Sequence, residues 1–206
     1  MRAIVIAGGA ISAPAVYKPF VRDTDLIVCA DSGYLNCEAM GIRPHLVIGD
    51  FDSCDRLVVP LDIPVKQLPV EKDETDLHAC INHVIAEGAD EILLFGARGT
   101  RLDHSLAAVS LVYMGLSQGV TIRLIDEHNE LFMFSGSVEI PRKEGCKLSL
   151  LPVTPVTGIH AEGVYYPLNG QNMSWGNPYG VSNEFVADTA KITVESGVLM
   201  VILSHD

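Results

Sequence analysis

The chain has little positive charge: 14 lysine and arginine residues stand against 26 aspartate and glutamate residues, for a formal net charge of −12. A protein that tracks the nucleic-acid backbone needs the opposite balance, because its lysines and arginines neutralise phosphates. The composition therefore predicts no nucleic-acid partner. An acidic surface suits a cationic small substrate, although many cytoplasmic proteins are acidic without having one.

Paired cysteines and long apolar runs are also missing. The five cysteines are odd in number and form no C-x-x-C pair, which indicates small buried residues in a reducing compartment rather than a disulfide framework or a zinc site. No run reaches the roughly 20 apolar residues that a membrane-spanning helix requires. The apolar N-terminal run is broken at Gly8-Gly9, which favours a first β-strand over a signal peptide. We expect a cytoplasmic protein with no membrane partner.

Two phosphate-binding fingerprints are absent as well. The chain contains no G-x-x-x-x-G-K-[ST] loop, which excludes a P-loop enzyme, and AGGAIS lacks the spacing of the dinucleotide motif G-x-G-x-x-G. The chemistry therefore has to be inferred from individual side chains and their places on predicted elements.

The first part of the chain alternates short apolar runs with helix-like segments. The runs AIVIAGG, LIVCADSG, HLVIGDFDS, EILLFGARG and VTIRLIDEH contain Gly or Asp at or near their ends, as expected of strands buried on both faces of a parallel sheet. Helices are predicted at 32–40, 74–87 and 103–116, with Gly88 and Gly115 as C-cap glycines. This alternation predicts an open, mostly parallel α/β sheet.

After about residue 130 the pattern changes to short strands separated by Gly, Pro and Asn, with no amphipathic helix. This pattern predicts an antiparallel β-sandwich or a partial barrel, of which we choose the sandwich. We expect GVSNEFV to be one of its strands, and AKITVESGVLMVILSHD to be a terminal hairpin that turns at Ser196-Gly197. The predicted fold class is thus α/β followed by all-β, with domains at 1–129 and 130–206.

Acidic residues follow the predicted strands at the carboxyl edge, where open α/β sheets bind ligands. Asp31 follows LIVCA, Asp50 and Asp52 follow HLVIG, and Asp126 follows TIRLI. Residues i and i+2 of an extended chain share a face, so Asp50 and Asp52 aim at one point if extended geometry persists through Phe51. Two hard oxygen ligands indicate Mg²⁺ held together with substrate phosphates. Alternatively, each Asp caps a helix or begins a turn.

The stretch VEKDETDLHAC places a second acidic cluster at the start of a predicted helix. Thr75 is the predicted N-cap, and acids beside it favour the positive end of the helix dipole, which is explanation enough for Glu74. Asp73 and Asp76 add carboxylates to the predicted metal site. Lys72 is a predicted phosphate contact.

The stretch GARGTRLDHSLA follows one predicted strand and precedes a helix. Gly96 and Gly99 allow the backbone to approach a ligand, and the helix N-terminus that follows favours anions. Arg98 and Arg101 offer bidentate contacts to phosphate. His104 alone is more typical of a hydrogen-bonding residue than of a catalytic base.

Five motifs in this order, CADSG, GDFDS, KDETDL, RLDH and SNEF, resemble the thiamine pyrophosphokinase family over essentially the whole chain. One departure is that Arg98 and Thr100 interrupt the Gly-rich stretch that bacterial members usually have before RLDH. The resemblance implies Mg²⁺-dependent transfer of a pyrophosphoryl group from ATP to the hydroxyl of thiamine, giving thiamine diphosphate and AMP. It also implies a homodimer whose active sites lie between the α/β domain of one subunit and the β domain of the other.

By motif match, the resemblance implies roles for individual side chains. Asp31 would lie beside the reacting groups, as the predicted acid that orients the hydroxyl or takes its proton. The predicted metal ligands are Asp50, Asp52 and Asp76. The predicted ATP side comprises Lys72, Asp73, Thr75, Arg101, Asp103 and His104, and the predicted thiamine side comprises Ser182, Asn183 and Trp175. Trp175 is a candidate aromatic face for the cationic thiazolium, as are Tyr165 and Tyr166, although a loop aromatic also commonly covers the end of a sandwich.

Two other functions stay open. A Mg²⁺-dependent phosphohydrolase would use Asp50 as nucleophile and Asp52 as acid, but such enzymes usually carry that motif on the first core strand, whereas here it follows the third strand-like run. A non-catalytic thiamine or nucleotide sensor on the same scaffold would be recognised by loss of the metal-binding acids, and all of them are present.

Overall fold

The computed structural model describes residues 1–52, 55–71, 73–177 and 179–206. The chain divides into two compact units, Met1–Glu127 and His128–Asp206. In the described ranges, no helix is both long and apolar enough to cross a membrane.

The first unit is an α/β sheet whose strands all run parallel. Its strands are β1 (Arg2–Ile6), β2 (Leu26–Ala30), β3 (Leu46–Gly49), β4 (Val65–Gln67), β5 (Glu91–Phe95) and β6 (Thr121–Ile125). Its helices are α1 (Gly33–Met40), α2 (Asp76–Ala86) and α3 (Leu102–Ser117). The spatial order β4-β3-β2-β1-β5-β6 reverses direction at β1. The topological switch point, where such sheets bind ligands, therefore lies between β1 and β5.

The central strands of this sheet are covered on both faces. β1, β2 and β5 each bury four consecutive residues, which point alternately to opposite faces. On one face, Ile4 and Ile6 of β1 and Phe95 of β5 pack in one apolar cluster with Met40 of α1. This burial explains why the strands are continuous apolar runs, and it confirms the α/β prediction for the first unit.

The predicted helices exist, and their ends differ from the predictions by at most two residues. Thr75 is the N-cap of α2, since its Oγ1 accepts a hydrogen bond from the His78 amide at 3.2 Å. Gly115, predicted to be a C-cap, instead lies inside α3 and packs on β6: a Cβ at this position would lie 2.5 Å from Cδ1 of Ile122. The left-handed glycine after α3 is Gly119, with φ +76°.

The segment 115–119 reads Gly-Leu-Ser-Gln-Gly and so matches the letters of the G-x-S-x-G nucleophile elbow. That elbow requires a turn from strand to helix, whereas this segment forms the end of α3. The hydroxyl of Ser117 donates to the Met114 carbonyl at 2.6 Å. The match therefore carries no catalytic meaning.

The second unit consists of two antiparallel sheets. Its strands are β7 (Asn129–Phe134), β8 (Ser137–Pro141), β9 (Lys147–Pro152), β10 (Val156–Glu162), β11 (Leu168–Met173), β12 (Thr189–Thr193) and β13 (Leu199–Ser204). One sheet contains the order β7-β13-β9 and the other is β11-β10-β12-β8. Leu150 and Val201 from the first sheet share a core with Ile159 and Ile192 from the second. The two sheets therefore pack as a sandwich, which confirms the all-β prediction.

The predicted terminal hairpin is wrong. β12 pairs with β8 and β10, whereas β13 pairs with β7 and β9, so the chain crosses between the sheets where a hairpin turn was expected. Gly197 lies in this crossing with φ +92°, and a Cβ there would lie 2.3 Å from the carbonyl oxygen of Pro155. GVSNEFV is likewise not a strand: it makes isolated bridges through Asn183 to Leu148 and through Phe185 to Val164.

Three cysteines lie in the core of the first unit as free thiols. Cys29, Cys37 and Cys80 are buried, with the sulfurs of Cys29 and Cys37 2.8 Å apart. Burial, together with the neighbouring Cys37, raises the pKa of the Cys29 thiol well above its usual value. Cys146 is half-buried in the second unit, and Cys54 lies outside the described residues. For the described cysteines, free thiols agree with the prediction that they form no disulfide framework.

Candidate active site

The loops after β1 and β5 meet at the topological switch point. The Gly9 amide donates to the carbonyl of Gly96 at 2.7 Å. A Cβ on Gly9 would lie 2.3 Å from that same oxygen, so only glycine allows this approach. From α1, Nδ2 of Asn36 donates to the carbonyls of Ala7 and Gly9 at 2.7 and 2.8 Å. The entrance to the β1 loop is thus fastened to two neighbouring elements.

The far end of the β1 loop is held by the acid that follows β6. Oε1 of Glu127 accepts hydrogen bonds from the Ser12 amide at 2.6 Å, the Ser12 hydroxyl at 3.1 Å and the Ala13 amide at 3.2 Å. Burial raises the pKa of this carboxyl, but hydrogen bonds from the backbone of Glu127, Ala13 and Ser12 outweigh it and hold the pKa at about 2. Glu127 is therefore a carboxylate that anchors the loop.

Asp31 lies at the end of β2 in a constrained backbone conformation. It is buried, has φ +46°, and donates its amide to the Ile48 carbonyl of β3 at 2.9 Å. A Cβ on Gly49 would lie 2.9 Å from Cα of Asp31, so the glycine allows the end of β3 to press against this residue. Asp50 follows Gly49 directly, which places two of the predicted acids at the ends of adjacent strands.

The chain does not stay extended through Phe51, so the condition for Asp50 and Asp52 to share a strand face is not met. Phe51 has φ +60°, in the left-handed region, and the Asp52 amide donates to Oδ1 of Asp50 at 3.2 Å. This conformation costs a bulky residue on the order of 1–3 kcal/mol. It is held because the Phe51 ring packs against the core of the first unit, with the guanidinium of Arg56 5.8 Å from the ring centroid. The two acids therefore meet in a tight turn rather than on one face of a strand.

The acidic cluster before α2 largely serves to begin the helix. Asp76 is the first residue of α2, beside the N-cap Thr75. Glu74 accepts from Nδ2 of Asn82 at 3.3 Å and lies 3.9 Å from Nδ1 of His78. These contacts agree with the structural explanation of Glu74. Asp73 is exposed, and Lys72 lies outside the described residues, so its predicted phosphate contact stays a prediction.

Two of the three predicted metal ligands lie in one turn. Asp50 and Asp52 share one turn, but among the residues that the structure describes, no group of three or more His, Cys, Asp or Glu forms a possible metal site. Asp76 lies at the start of α2, and its part as a third ligand stays a prediction. Mg²⁺ typically keeps several waters and takes one or two carboxylates together with substrate phosphates. The Asp50–Asp52 turn, with its hard oxygen donors, fits that requirement.

Both arginines of the loop after β5 face carboxylates of their own chain. Nε of Arg98 lies 2.7 Å from Oδ2 of the nearly buried Asp126. Arg101 donates to both oxygens of Asp103, at 3.2 and 2.6 Å, and this pair is exposed. The guanidinium of Arg101 lowers the pKa of Asp103 to about 2, and the His104 amide also donates to this carboxylate, at 3.0 Å. The RLDH motif thus begins α3 and contains an exposed ion pair between Arg101 and Asp103.

In the second unit, the SNEF motif joins two loops. Ser182 has φ +62°, and its amide donates to Oγ of Ser149 at 3.0 Å. The buried Asn183 accepts at Oδ1 from the amides of Tyr166 and Glu184, both at 2.9 Å, and donates from Nδ2 to the Tyr166 carbonyl at 2.8 Å. The predicted thiamine contact Asn183 is therefore engaged mainly with backbone.

The aromatic candidates differ in their surroundings. Tyr165 and Tyr166 lie edge to face with ring centroids 4.9 Å apart, and they are 62% and 64% exposed. Trp175 is 80% exposed, in the turn after β11. The structure thus assembles the two tyrosines into a pair and leaves Trp175 on the surface.

Sequence reasoning missed three residues that shape these loops. Glu127 is the second residue after β6 and would have been found by extending the rule that selected Asp126. Asn36 lies within α1 and Ser149 within β9, where nothing in the local pattern marks them. Their roles depend on contacts with segments distant in sequence.

Backbone strain is concentrated in the motifs. Among described residues other than glycine, a positive φ occurs at Asp31, Phe51 and Ser182, which belong to CADSG, GDFDS and SNEF. Such conformations cluster at functional sites, where the surroundings hold them in place.

Two family models match the chain, one for each unit. Residues 17–124 match "Thiamin pyrophosphokinase, catalytic domain", and residues 137–199 match "Thiamin pyrophosphokinase, vitamin B1 binding domain". Thiamine pyrophosphokinase of Bacillus subtilis is 29% identical over 209 residues, which covers 98% of each chain.

Solved structures agree over the full length. The crystal structure of the Bacillus subtilis enzyme aligns with a TM-score of 0.92 at 28% identity and covers 100% of both chains. That of the thiamin pyrophosphokinase from Geobacillus thermodenitrificans aligns with a TM-score of 0.88 at 27% identity and covers 100% of this chain and 98% of the other.

Proposed function

Because the chain belongs to the thiamine pyrophosphokinase family of enzymes, we propose that it transfers a pyrophosphoryl group from ATP to the hydroxyl oxygen of thiamine. The oxygen–phosphorus bond forms at the β-phosphorus of ATP, the bond from that phosphorus to the α-phosphate oxygen breaks, and AMP leaves. One observation best supports this proposal. Asp31 at the end of β2 lies against the end of β3, from which the Asp50–Phe51–Asp52 turn begins. Carboxylates held by strained backbone at a sheet's carboxyl edge suit positioning chemistry.

Asp31 is our candidate for the group beside the attacking hydroxyl. Its backbone is fixed by the Ile48 carbonyl and by the close approach of Gly49, so its carboxylate has little freedom to drift. A fixed carboxylate can orient the hydroxyl and accept its proton as the new bond forms. A carboxylate also favours a cationic substrate such as the thiazolium.

We propose Mg²⁺ as the cofactor, with Asp50, Asp52 and Asp76 as its candidate protein ligands and the phosphates of ATP completing the site. When bound, the ion would neutralise charge on the phosphate oxygens during transfer. The protein's own contribution is to hold the two carboxylates in the turn at Phe51, where the ring packing and Arg56 keep the turn formed.

On the ATP side, the two arginines are suited to different tasks. Arg101 and Asp103 are both 65% exposed, and an ion pair in solvent contributes little to stability. A phosphate can therefore take over the Arg101 guanidinium at little cost. Arg98 is paired with a carboxylate whose side chain is only 8% exposed, so we assign it to holding the loop. The other residues proposed for this side are Lys72, Asp73, Thr75, Asp103 and His104.

We place thiamine recognition in the second unit, at Ser182, Asn183 and the exposed aromatic residues. By the same family resemblance, we propose a homodimer in which the first unit of one subunit and the second unit of the other complete each site. The predicted cytoplasmic location stays a prediction.

Incubation of the protein with ATP, Mg²⁺ and thiamine, followed by mass spectrometry of all products, tests the reaction. We expect thiamine diphosphate and AMP in equal amounts. Thiamine monophosphate with ADP would keep the substrates and overturn the reaction type. Phosphate release without consumption of thiamine would favour the phosphohydrolase, and thiamine binding without turnover would indicate a sensor.

A further inference from the structure

The segment around Asn183 is joined to the connection between β10 and β11 by backbone pairing. Val164 and Phe185 form an antiparallel bridge, and the Tyr165 amide donates to the Glu184 carbonyl at 2.9 Å. Val164 and Phe185 are themselves buried in the sandwich core. This pairing places Tyr165 and Tyr166 on the rim of the core, with their backbone fixed and their rings in solvent.

The Asn183 side chain adds two hydrogen bonds to this pairing, both with the backbone of Tyr166. It both accepts from the amide and donates to the carbonyl of Tyr166, as a neighbouring strand would. Only an amide side chain has a donor and an acceptor in this arrangement. The backbone of Asn183 is in turn hydrogen-bonded in both directions to Leu148 of β9, at 2.8 and 2.9 Å. Asn183 therefore connects the backbone of the tyrosine pair to β9 and restrains it.

The tyrosine pair has the properties of a recognition surface. Two large rings, each more than 60% exposed, stand edge to face on a backbone that the core holds in place. Such rings present negative π-faces at little cost in side-chain entropy, which suits a flat cation. Thiamine carries a cationic thiazolium, and the protein's net charge of −12 favours a positive ligand.

We propose that Asn183 is a positioning residue that acts on thiamine through Tyr165 and Tyr166 rather than by contacting the substrate itself. This inference rests on the proposed function, because it names thiamine as the ligand of the pair. In this arrangement the tyrosine rings contact the thiazolium. Asn183 fixes the backbone from which they project.

The test compares KM for thiamine, KM for ATP and kcat in the variants Asn183→Ala, Tyr165→Leu, Tyr166→Leu and the double variant Asn183→Ala/Tyr166→Leu. Loss of a cation–π contact weakens binding by roughly two- to thirty-fold, so we expect KM for thiamine to rise by about tenfold in Asn183→Ala and Tyr166→Leu. KM for ATP and kcat should change by less than about twofold. KM for thiamine in the double variant should be close to that in either single variant, because both changes remove the same contact.

Asn172→Ala is the matched control. Oδ1 of Asn172 accepts a hydrogen bond from the Gly158 amide at 3.1 Å in the same unit. This variant therefore also loses a hydrogen bond between a side chain and the backbone. We expect its KM for thiamine to match that of the wild type. The tyrosine variants change exposed rings and should fold even if Asn183→Ala is too unstable to measure, and circular dichroism checks each protein.

The outcomes separate the inference from the function. Normal KM for thiamine in both tyrosine variants, or strictly additive effects in the double variant, would overturn the positioning role while leaving the enzyme assignment intact. A wild-type protein that neither binds nor converts thiamine would overturn both. A selective rise in KM for thiamine with non-additivity would support the inference.

Discussion

At the scale of single residues, the site depends on side chains whose backbone is forced into unusual conformations. Phe51 is the clearest case, because a bulky residue with φ +60° is stable only where its ring is held. The packing of that ring against the core turns the chain between Asp50 and Asp52 and brings the Asp52 amide to the Asp50 carboxylate. A hydrophobic contact thus sets the geometry of two acids.

Asp52→Asn tests the proposed metal site. Asp52 is exposed, so the substitution should leave the melting temperature nearly unchanged while lowering kcat by about 10²-fold or more through loss of a charged ligand. Initial rates across a Mg²⁺ titration and a thermal melt measure the two effects. Asp55→Asn is the control, since Asp55 lies in the same loop and accepts from the Leu57 amide. An Asp52→Asn enzyme that keeps full activity would remove Asp52 from the metal site.

Gly49→Ala tests the contact between β3 and Asp31. The new Cβ would lie 2.9 Å from Cα of Asp31, so the end of β2 has to move, and a shift of this kind at a reacting group can lower kcat/KM by about 10²-fold. Gly115→Ala is a matched control. Its Cβ would overlap Ile122 by a similar amount at the other end of the sheet, so it should lower stability and leave kcat/KM unchanged. Equal kcat/KM in the two variants would show that the position of Asp31 is unimportant.

At the scale of elements, the β1 loop is held by groups from three neighbouring elements. Asn36 of α1 binds its first carbonyls, the Gly96 carbonyl after β5 binds the Gly9 amide, and Glu127 after β6 binds its last amides. Loops that line a switch point need this support, because they have no pairing of their own.

The Glu127 contact predicts a specific pH dependence of stability. Its folded pKa of about 2 lies below the ordinary value of 4.5, so the carboxylate stabilises the fold above pH 4.5, and this contribution is lost as the pH falls towards 2. Glu127→Gln should therefore be less stable than the wild type at pH 7. The difference should shrink between pH 4.5 and pH 2. Urea unfolding at several pH values measures it, and a difference that stays constant down to pH 2 would contradict the assignment.

The elements could largely be predicted from sequence where their causes are local. Buried parallel strands read as apolar runs ending in Asp or Gly, and Thr75 marked the start of α2 by its capping chemistry. β4 was missed because three residues with an exposed Lys66 form no apolar run. The hairpin at Gly197 was wrong because a left-handed glycine serves a tight turn and a crossing between sheets equally well. The turn at Phe51 depends on distant core packing, which no local pattern records.

At the scale of the whole molecule, each unit matches its own family model and contains its own share of the candidate residues. The acids and arginines lie in the first unit. Ser182, Asn183 and the exposed aromatic residues lie in the second. A single reaction that needs both sets requires the units to cooperate, and the proposed homodimer supplies this by joining unlike units of two subunits.

Complementation between inactive variants tests this arrangement. Asp52→Asn disables the first unit and Ser182→Ala impairs the second, so a mixed dimer would contain one site with both lesions and one with neither. Random reassembly of equal amounts should then restore about a quarter of wild-type activity, since half of the dimers are mixed and each has one intact site. Each variant refolded alone should remain impaired, and tagged subunits confirm by mass that mixed dimers form. Mixed dimers without restored activity would place each site within one chain, because the lesions would then leave no intact site in any dimer.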